Sequence, residues 1–301
     1  MLTFLPAPVK GTLAAVLILL NTLWLFPILM VFAVLKLIIP LAGVRRFCTL
    51  VLNRIAYLWI GFNNCLLDLL HSIRWDVRGA EGLDRKHWYF VTCNHQTWAD
   101  IPAIQYVLNG RIPLLKFFLK KELIWIPFLG VAWWALDFPF MRRHTKEQIA
   151  KRPELRGSDL ETTRRACEKF RTIPVTVFNF MEGTRFTPEK HAAQNSPYRH
   201  LLRPRAGGTA FVLGAMGDTL HTMLDITIVY PQGNATFWRY LCGQVRHIIV
   251  DIKTLEIPRQ YLGMDYANES ELQKEFQAWI SELWAEKDAR IDRIQDSRID
   301  S

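Results

Sequence analysis

Residues 12–35 read TLAAVLILLNTLWLFPILMVFAVL, and only Thr12, Asn21, Thr22 and Pro27 in that run are not apolar. Coiled as an α-helix rising about 1.5 Å per residue, it would reach roughly 36 Å, more than the ~30 Å hydrocarbon core of a bilayer. A cleaved leader fits poorly. Only Lys10 precedes the run, the run is too long for such a leader, and no A-x-A site follows. The segment is therefore predicted to stay in the membrane. Lys36, Arg45, Arg46 and Arg54 follow it, which by the positive-inside rule puts the next segment on the cytoplasmic side. A second apolar stretch, 47–70, is broken by Asn53, Arg54, Asn63, Asn64 and Asp68, and suits a helix lying against membrane and protein. Pro27 could kink the first segment, and a shallow two-helix hairpin is preferred to a single span. Residues 1–70 are thus expected to form a membrane-embedded helical module and 71–301 a separate domain.

The chain carries 37 Lys and Arg against 28 Asp and Glu, a formal charge of +9. Such a balance suits a surface facing anionic lipid, or the binding of anionic substrates. Nucleic acid is not expected as a partner, because no basic-aromatic array or helix-turn-helix pattern is present. The five cysteines are odd in number with no C-x-x-C pair, as for reduced thiols facing the cytosol. No zinc-ligand spacing, Walker loop, G-x-G-x-x-G or G-x-S-x-G occurs.

Beyond the membrane module, strands are predicted at 73–78, 88–93, 113–119, 174–180, 226–230 and 245–252. Helices are predicted from 101 to 108, over 159–171 with Ser158 as N-cap and Glu161 completing a capping box, and from 207. A last helix places Phe276, Trp279, Ile280, Leu283 and Trp284 on one face. The run LIWIPFLGVAWWAL, 123–136, carries no charge and is too short to span a bilayer. It is expected to be buried core, with an interfacial patch or an acyl-chain lining as alternatives. Residues 187–204 are expected to be a mobile basic loop. The alternation implies an α/β domain with a largely parallel sheet flanked by helices.

Two polar motifs directly follow predicted strands, where ligands gather in such sheets. In CNHQTWADIP, His95 and Asp100 stand five apart. Across one regular helix they would diverge by about 140°, but they meet if His95 sits in the loop and Asp100 in the first helical turn. Thr97 is the expected N-cap, with Pro102 early in the helix. A carboxylate on one ring nitrogen would leave the other as a general base. His71 and Asp76 have the same spacing, but Asp76 is predicted to point outward from a strand, and that pair is not expected to be chemical. The second motif, Glu182-Gly183-Thr184-Arg185, suits phosphate recognition, since Arg binds phosphate bidentately and Gly permits close backbone approach. Seen alone, it could equally be a solvated turn. Arg143 and Arg205 are further phosphate candidates, although each alone reads rather as an ordinary surface arginine.

Together, NHQTWAD and FMEGTRF resemble the histidine-x4-aspartate and glutamate-glycine-threonine-arginine blocks of the glycerolipid acyltransferases, the group that includes 1-acylglycerol-3-phosphate acyltransferase. DFPFMRR at 137–143 and ITIVYP at 226–231 resemble two weaker blocks. CNHQTWADI, FLGVAWWALDFPFMRR, ETTRRACEKF and WAEKD bring the chain nearer to a bacterial branch of inner-membrane acyltransferases, the YihG-like proteins. The resemblance implies an α/β acyltransferase catalytic domain over 71–301, with the C-terminal amphipathic helix, behind the membrane module. It implies that His95 deprotonates the free hydroxyl of a lysophospholipid while Asp100 orients it. That hydroxyl then attacks the thioester of acyl-CoA or acyl-carrier protein, with no metal or organic cofactor. Glu182, Gly183, Thr184 and Arg185, with Arg143 and Arg205, would hold the glycerol phosphate. Met181, Arg142 and Thr227 depart from the family's usual residues. They leave the acceptor open between 1-acylglycerol-3-phosphate and a head-group-bearing lysophospholipid. A lipid esterase and a non-catalytic membrane scaffold are the alternatives. The location implied is the bacterial inner membrane, with the catalytic domain facing the cytoplasm.

Overall fold

A computed structural model describes residues 4–141, 164, 167–171, 173–233, 235–266 and 269–296. Two helices open the chain, α1 (Ala7–Ile38) and α2 (Ala42–Leu70), both long and apolar enough to cross a membrane. They form the expected hairpin, but its reversal lies at 39–41 and not at Pro27, which sits inside a continuous α1. The residue before a proline is pushed out of the helical region. Ile39, before Pro40, accordingly adopts φ −92° and ψ 110°. The polar exceptions within the apolar run find each other between the helices. Asn21 Nδ2 donates to Asn63 Oδ1 (2.8 Å) and to Trp59 O (3.1 Å), and Trp59 Nε1 donates to Thr22 Oγ1 (3.0 Å). Such bonds tie apolar helices together where lipid offers no partner.

The strands are β1 (Arg74–Arg78), β2 (Tyr89–Cys93), β3 (Leu115–Phe117), β4 (Leu119–Lys120), β5 (Phe140–Met141), β6 (Thr176–Phe180), β7 (Thr222–Val229) and β8 (His247–Glu256). The remaining helices are α3 (Asp100–Leu108), α4 (Leu129–Ala135), α5 (Pro188–Ala193), α6 (Ala206–Met216), α7 (Phe237–Leu241) and α8 (Ser270–Asp296). Six strands form one sheet in the order β1-β8-β7-β2-β6-β3, while β4 and β5 pair separately. Neighbours in the main sheet run parallel except β7 with β8, so the fold is the expected largely parallel α/β sheet.

Both sheet faces are covered, and strand alternation sorts the residues between them. Tyr89, Val91, Cys93, Leu224, Ile226 and Ile228 share a core with α3 residues Ala103, Ile104 and Val107. Phe90, Val177, Met223 and Val229 share the other with Leu213 and Met216 of α6 and Phe276, Ile280 and Trp284 of α8. The apolar stripe predicted for the tail is therefore a core face.

Three expectations need correction. The 123–136 run is not buried core: its 3₁₀ turn Lys121–Trp125 has no buried residue, and Trp125 is 85% exposed. Only Gly130, Ala135 and Leu136 in that run are buried, because the segment rides on the helical hairpin, with Trp133 packed against it and Trp125 and Trp134 exposed. The 187–204 loop contains α5, started by Pro188 after Thr187, whose Oγ1 accepts from Lys190 N (3.3 Å). Thr97 is not the N-cap of α3; that place falls to Ala99. Of the helix predicted over 159–171, residues 167–170 are helical, while Ser158 and Glu161 lie outside the described residues.

Candidate active site

Strand register brings the two motifs together. Cys93 ends β2 opposite Phe180, the end of β6, so His95 and Glu182 each stand two residues beyond a paired strand end. On the other side β2 pairs with β7, Cys93 opposite Ile226. There the Asn94 side chain continues the ladder. Its Nδ2 donates to Ile228 O and its Oδ1 accepts from Ile228 N, both at 2.9 Å.

His95 and Asp100 meet as the loop-then-helix geometry requires. Nδ1 of His95 lies 2.8 Å from Asp100 Oδ2, and since a carboxylate only accepts, Nδ1 carries the proton. Nε2 is then the basic nitrogen. The same Oδ2 accepts from Gln96 N (2.7 Å) and Thr97 N (2.9 Å), while Oδ1 accepts from Tyr230 Oη (2.8 Å). These four donors offset the cost of burying the charge. Burial, helped by the Asp100 charge, pushes the Tyr230 phenol well above its usual range, so it stays a donor. The imidazole lies flat on Phe180, ring centroids 3.8 Å apart and 14° between planes, and is fixed on its face as well as its edge.

Glu182 has a different place from the one expected. It is buried, and its oxygens accept backbone N–H groups, Oε1 from His95 (2.8 Å) and Oε2 from Leu202 (3.0 Å). Burial pushes its carboxyl up to about 7 against the pull of those two bonds and of the Lys287 charge. Two main-chain N–H groups thus hold the buried Glu182 carboxyl, which shapes the turn between the two motifs.

Gly183 takes φ 68°, a left-handed turn that only glycine adopts without strain. Arg185 is exposed and lies over Trp98, 4.9 Å from its guanidinium carbon to the ring centroid. It thereby joins the second turn to the first. Thr184 Oγ1 accepts from Lys190 Nζ (2.8 Å), which also donates to Arg185 O (2.9 Å). Arg205 is exposed just before α6, and its backbone N–H donates to Met181 O (2.7 Å). The second turn meets the first where Phe186 N donates to His95 O (2.7 Å), and Lys190 joins Thr184 and Arg185 within it. Arg143 lies outside the described residues.

Tyr230, Phe180 and Lys190 were missed. Tyr230 stood in the quoted ITIVYP block, but nothing local marks it as a partner 130 residues from Asp100. Lys190 was hidden by reading 187–204 as a loop. His71 and Asp76, with the same spacing, have separate surroundings: His71 is buried at the end of α2, and Asp76 on the edge strand pairs with Arg78 (2.7 Å). Among the described residues no three His, Cys, Asp or Glu side chains gather as a metal site.

Residues 74–230, just over half of the chain, match the family model described as Acyltransferase. The chain is similar to the lysocardiolipin acyltransferase 1 of Danio rerio, 25% identical over 262 residues, 81% of this chain and 62% of that protein. It is similar to the 1-acyl-sn-glycerol-3-phosphate acyltransferase delta of Homo sapiens, 27% identical over 213 residues, 66% of this chain and 51% of that protein. A third relative is the 2-acyl-1-lysophosphatidylinositol acyltransferase of Saccharomyces cerevisiae, 25% identical over 242 residues, 67% of this chain and 60% of that protein. The chain therefore spans only 51–62% of the length of these relatives. The crystal structure of a Thermotoga maritima 1-acyl-sn-glycerophosphate acyltransferase covers 90% of this chain and 98% of its own. At 16% identity and a TM-score of 0.43, that likeness is too distant to add to the fold above.

Proposed function

The chain belongs to the Acyltransferase family, and from that premise we propose that it is a membrane-bound O-acyltransferase. It moves a fatty acyl group from the thioester of acyl-CoA or acyl-carrier protein to the free hydroxyl of a lysophospholipid. The acceptor we favour is 1-acylglycerol-3-phosphate, which gives phosphatidic acid. The observation that carries this reading is the His95–Asp100 pair, a base already in the right tautomer with no protein nucleophile attached. Among the described residues no hydroxyl or thiol hydrogen-bonds to Nε2. Cys93, the thiol nearest in sequence, is buried, and burial pushes it well above its usual range. In the proposed reaction Nε2 takes the proton of the acceptor hydroxyl as its oxygen attacks the thioester carbonyl carbon. The tetrahedral intermediate collapses, the carbon–sulfur bond breaks, and the imidazolium returns its proton to the leaving thiolate.

The relatives above carry lysophospholipid acyltransferase names, and the cations here suit a phosphate-bearing acceptor. Arg185 supplies a guanidinium for bidentate phosphate binding, with Lys190 bonded to its main-chain oxygen and Arg205 and Arg143 as further candidates. Glu182 and Gly183 shape the turn. We place the domain on the cytoplasmic face, the side that the basic residues at 36, 45, 46 and 54 favour, and take the bacterial inner membrane from the resemblance above.

The test is a panel of lysophospholipids and acyl thioesters offered to purified membranes, read by mass spectrometry. His95→Ala should reduce acyl transfer at least ~1,000-fold while the protein still inserts, since a lost general base and its positioning cost about that much. Substantial turnover by that variant would remove the base. Arg185→Ala should raise the acceptor KM about tenfold or more, and an unchanged KM takes Arg185 out of the phosphate site. Thioester consumed equally with and without acceptor would replace the transferase by an esterase.

A further inference from the structure

The family match ends at residue 230, and α8 lies wholly beyond it. Yet α8 reaches the site by two routes. On its inward face, Lys287 Nζ pairs with Asp225 Oδ1 (2.6 Å) and donates to Ile226 O (2.5 Å). Arg290 reaches Asp225 Oδ2 (3.2 Å), Thr227 Oγ1 (3.2 Å) and Asp251 Oδ1 (3.3 Å). Asp225 and Thr227 alternate with Met223 and Val229 on the sheet face that α8 covers. These bonds anchor α8 to β7, whose Ile228 holds Asn94, and Tyr230 just beyond its end holds Asp100.

The second route is a grip on the loop between α5 and α6. Trp284 Nε1 donates to Leu202 O (3.0 Å). The Asp288 carboxylate accepts from Arg199 N (2.7 Å) and His200 N (2.8 Å). Asp292 Oδ1 takes His200 Nε2 (2.8 Å) and Arg199 Nη1 (3.1 Å), and Tyr198 Oη donates to Ser281 O (3.2 Å). This loop has no strand or helix to fix its backbone, so its conformation depends on such contacts. At its end, Leu202 N–H holds Glu182 Oε2, and Glu182 Oε1 holds the His95 N–H.

We propose that α8 is a positioning element of the active site. Through Trp284, Asp288 and Asp292 it sets the loop that carries Leu202, and Leu202 in turn fixes Glu182 against the His95 main chain. The inference rests on His95 being the base. It explains why two backbone N–H groups on different loops share one buried carboxylate. Release of the loop frees Glu182, and a base displaced by even 1 Å loses much of its rate.

The test is a double-mutant cycle on the full-length enzyme with whichever acceptor the panel selects. Asp288 is half-buried, so Asp288→Ala leaves the two loop N–H groups to water and the fold intact. It should lower kcat about tenfold, with acceptor KM within about twofold and Tm within a few degrees. In a Glu182→Gln background the same change should lower kcat less than about threefold, because both act through one contact. Trp284→Phe keeps the ring packing, removes the donor to Leu202 and should show the same non-additivity. If Asp288→Ala does not fold, Asp288→Asn, with one acceptor left, takes its place with an intermediate loss. An equal fall in both backgrounds, or unchanged kcat in all three variants, overturns the proposal. A His95→Ala control separates the two readings. Residual turnover there removes the base itself, whereas an inactive control beside fully active α8 variants overturns only the role of α8.

Discussion

Asp100 Oδ1 has one partner, the Tyr230 hydroxyl, while Oδ2 has three. The two oxygens therefore separate stability from chemistry. Oδ2 sets the His95 tautomer and closes the turn; Oδ1 only needs satisfying. Tyr230→Phe leaves a buried carboxylate oxygen without its donor, which costs about 1–3 kcal/mol. Thermal unfolding of the variant should show that loss as a Tm lowered by several degrees. Its kcat should fall no more than about tenfold, because the Nδ1 bond is untouched. A fall as deep as that of His95→Ala would mean that Tyr230 takes part in proton transfer.

Among the elements, β3 is the edge strand beside β6, and one of its side chains reaches partners outside the sheet. Its Lys116 is buried, donates to Leu136 O and to Asn53 Oδ1 of α2 (3.4 Å), and lies 5.0 Å from the Phe138 ring. Burial pulls its ammonium from 10.5 down to about 7. Between those values the unfolded chain binds a proton that the folded chain does not, so stability should rise as pH increases from about 7 to about 10.5. Lys116→Met should remove that rise, so in denaturant unfolding wild type should gain stability relative to the variant between pH 7 and pH 10. A difference independent of pH would mean the amine is not desolvated. Lys116 shows why some elements were legible in the sequence and others were not. The β2 and β6 strand ends could be read because an apolar run and its polar motif are adjacent in sequence. Lys116, and Lys287 with Asp225, look like ordinary solvated charges until distant elements close over them. The 123–136 run failed for the converse reason: apolar side chains do not tell whether protein or lipid will cover them.

At the scale of the molecule, the apolar hairpin and the domain touch along the whole length of α1. Near its start, Gly11 lies against Trp238 and Cys242. Further along, Phe26 meets Phe128 edge-on at 5.1 Å, and near its end Lys36 pairs with Asp137. A helix of 32 residues, about 48 Å long, that is held against the domain at both ends cannot cross a bilayer with that domain left wholly outside. The prediction is that it lies in one leaflet, lipid on its outer side, with the exposed Trp24 (75%) and Trp125 (85%) at the interface that suits such rings. The basic turn around Arg45 and Arg46 then belongs to the same side of the membrane as the domain. The experiment is a Gly43→Cys label in a Cys65→Ser background, Cys65 being the exposed thiol and a side chain at 43 having open space around its Cβ. A membrane-impermeant maleimide should modify residue 43 from the face that also exposes Arg203→Cys, and not from the other. Labelling of 43 and 203 from opposite faces would show two full crossings. It would also require the contacts of Gly11 and Lys36 with the domain to open in the membrane.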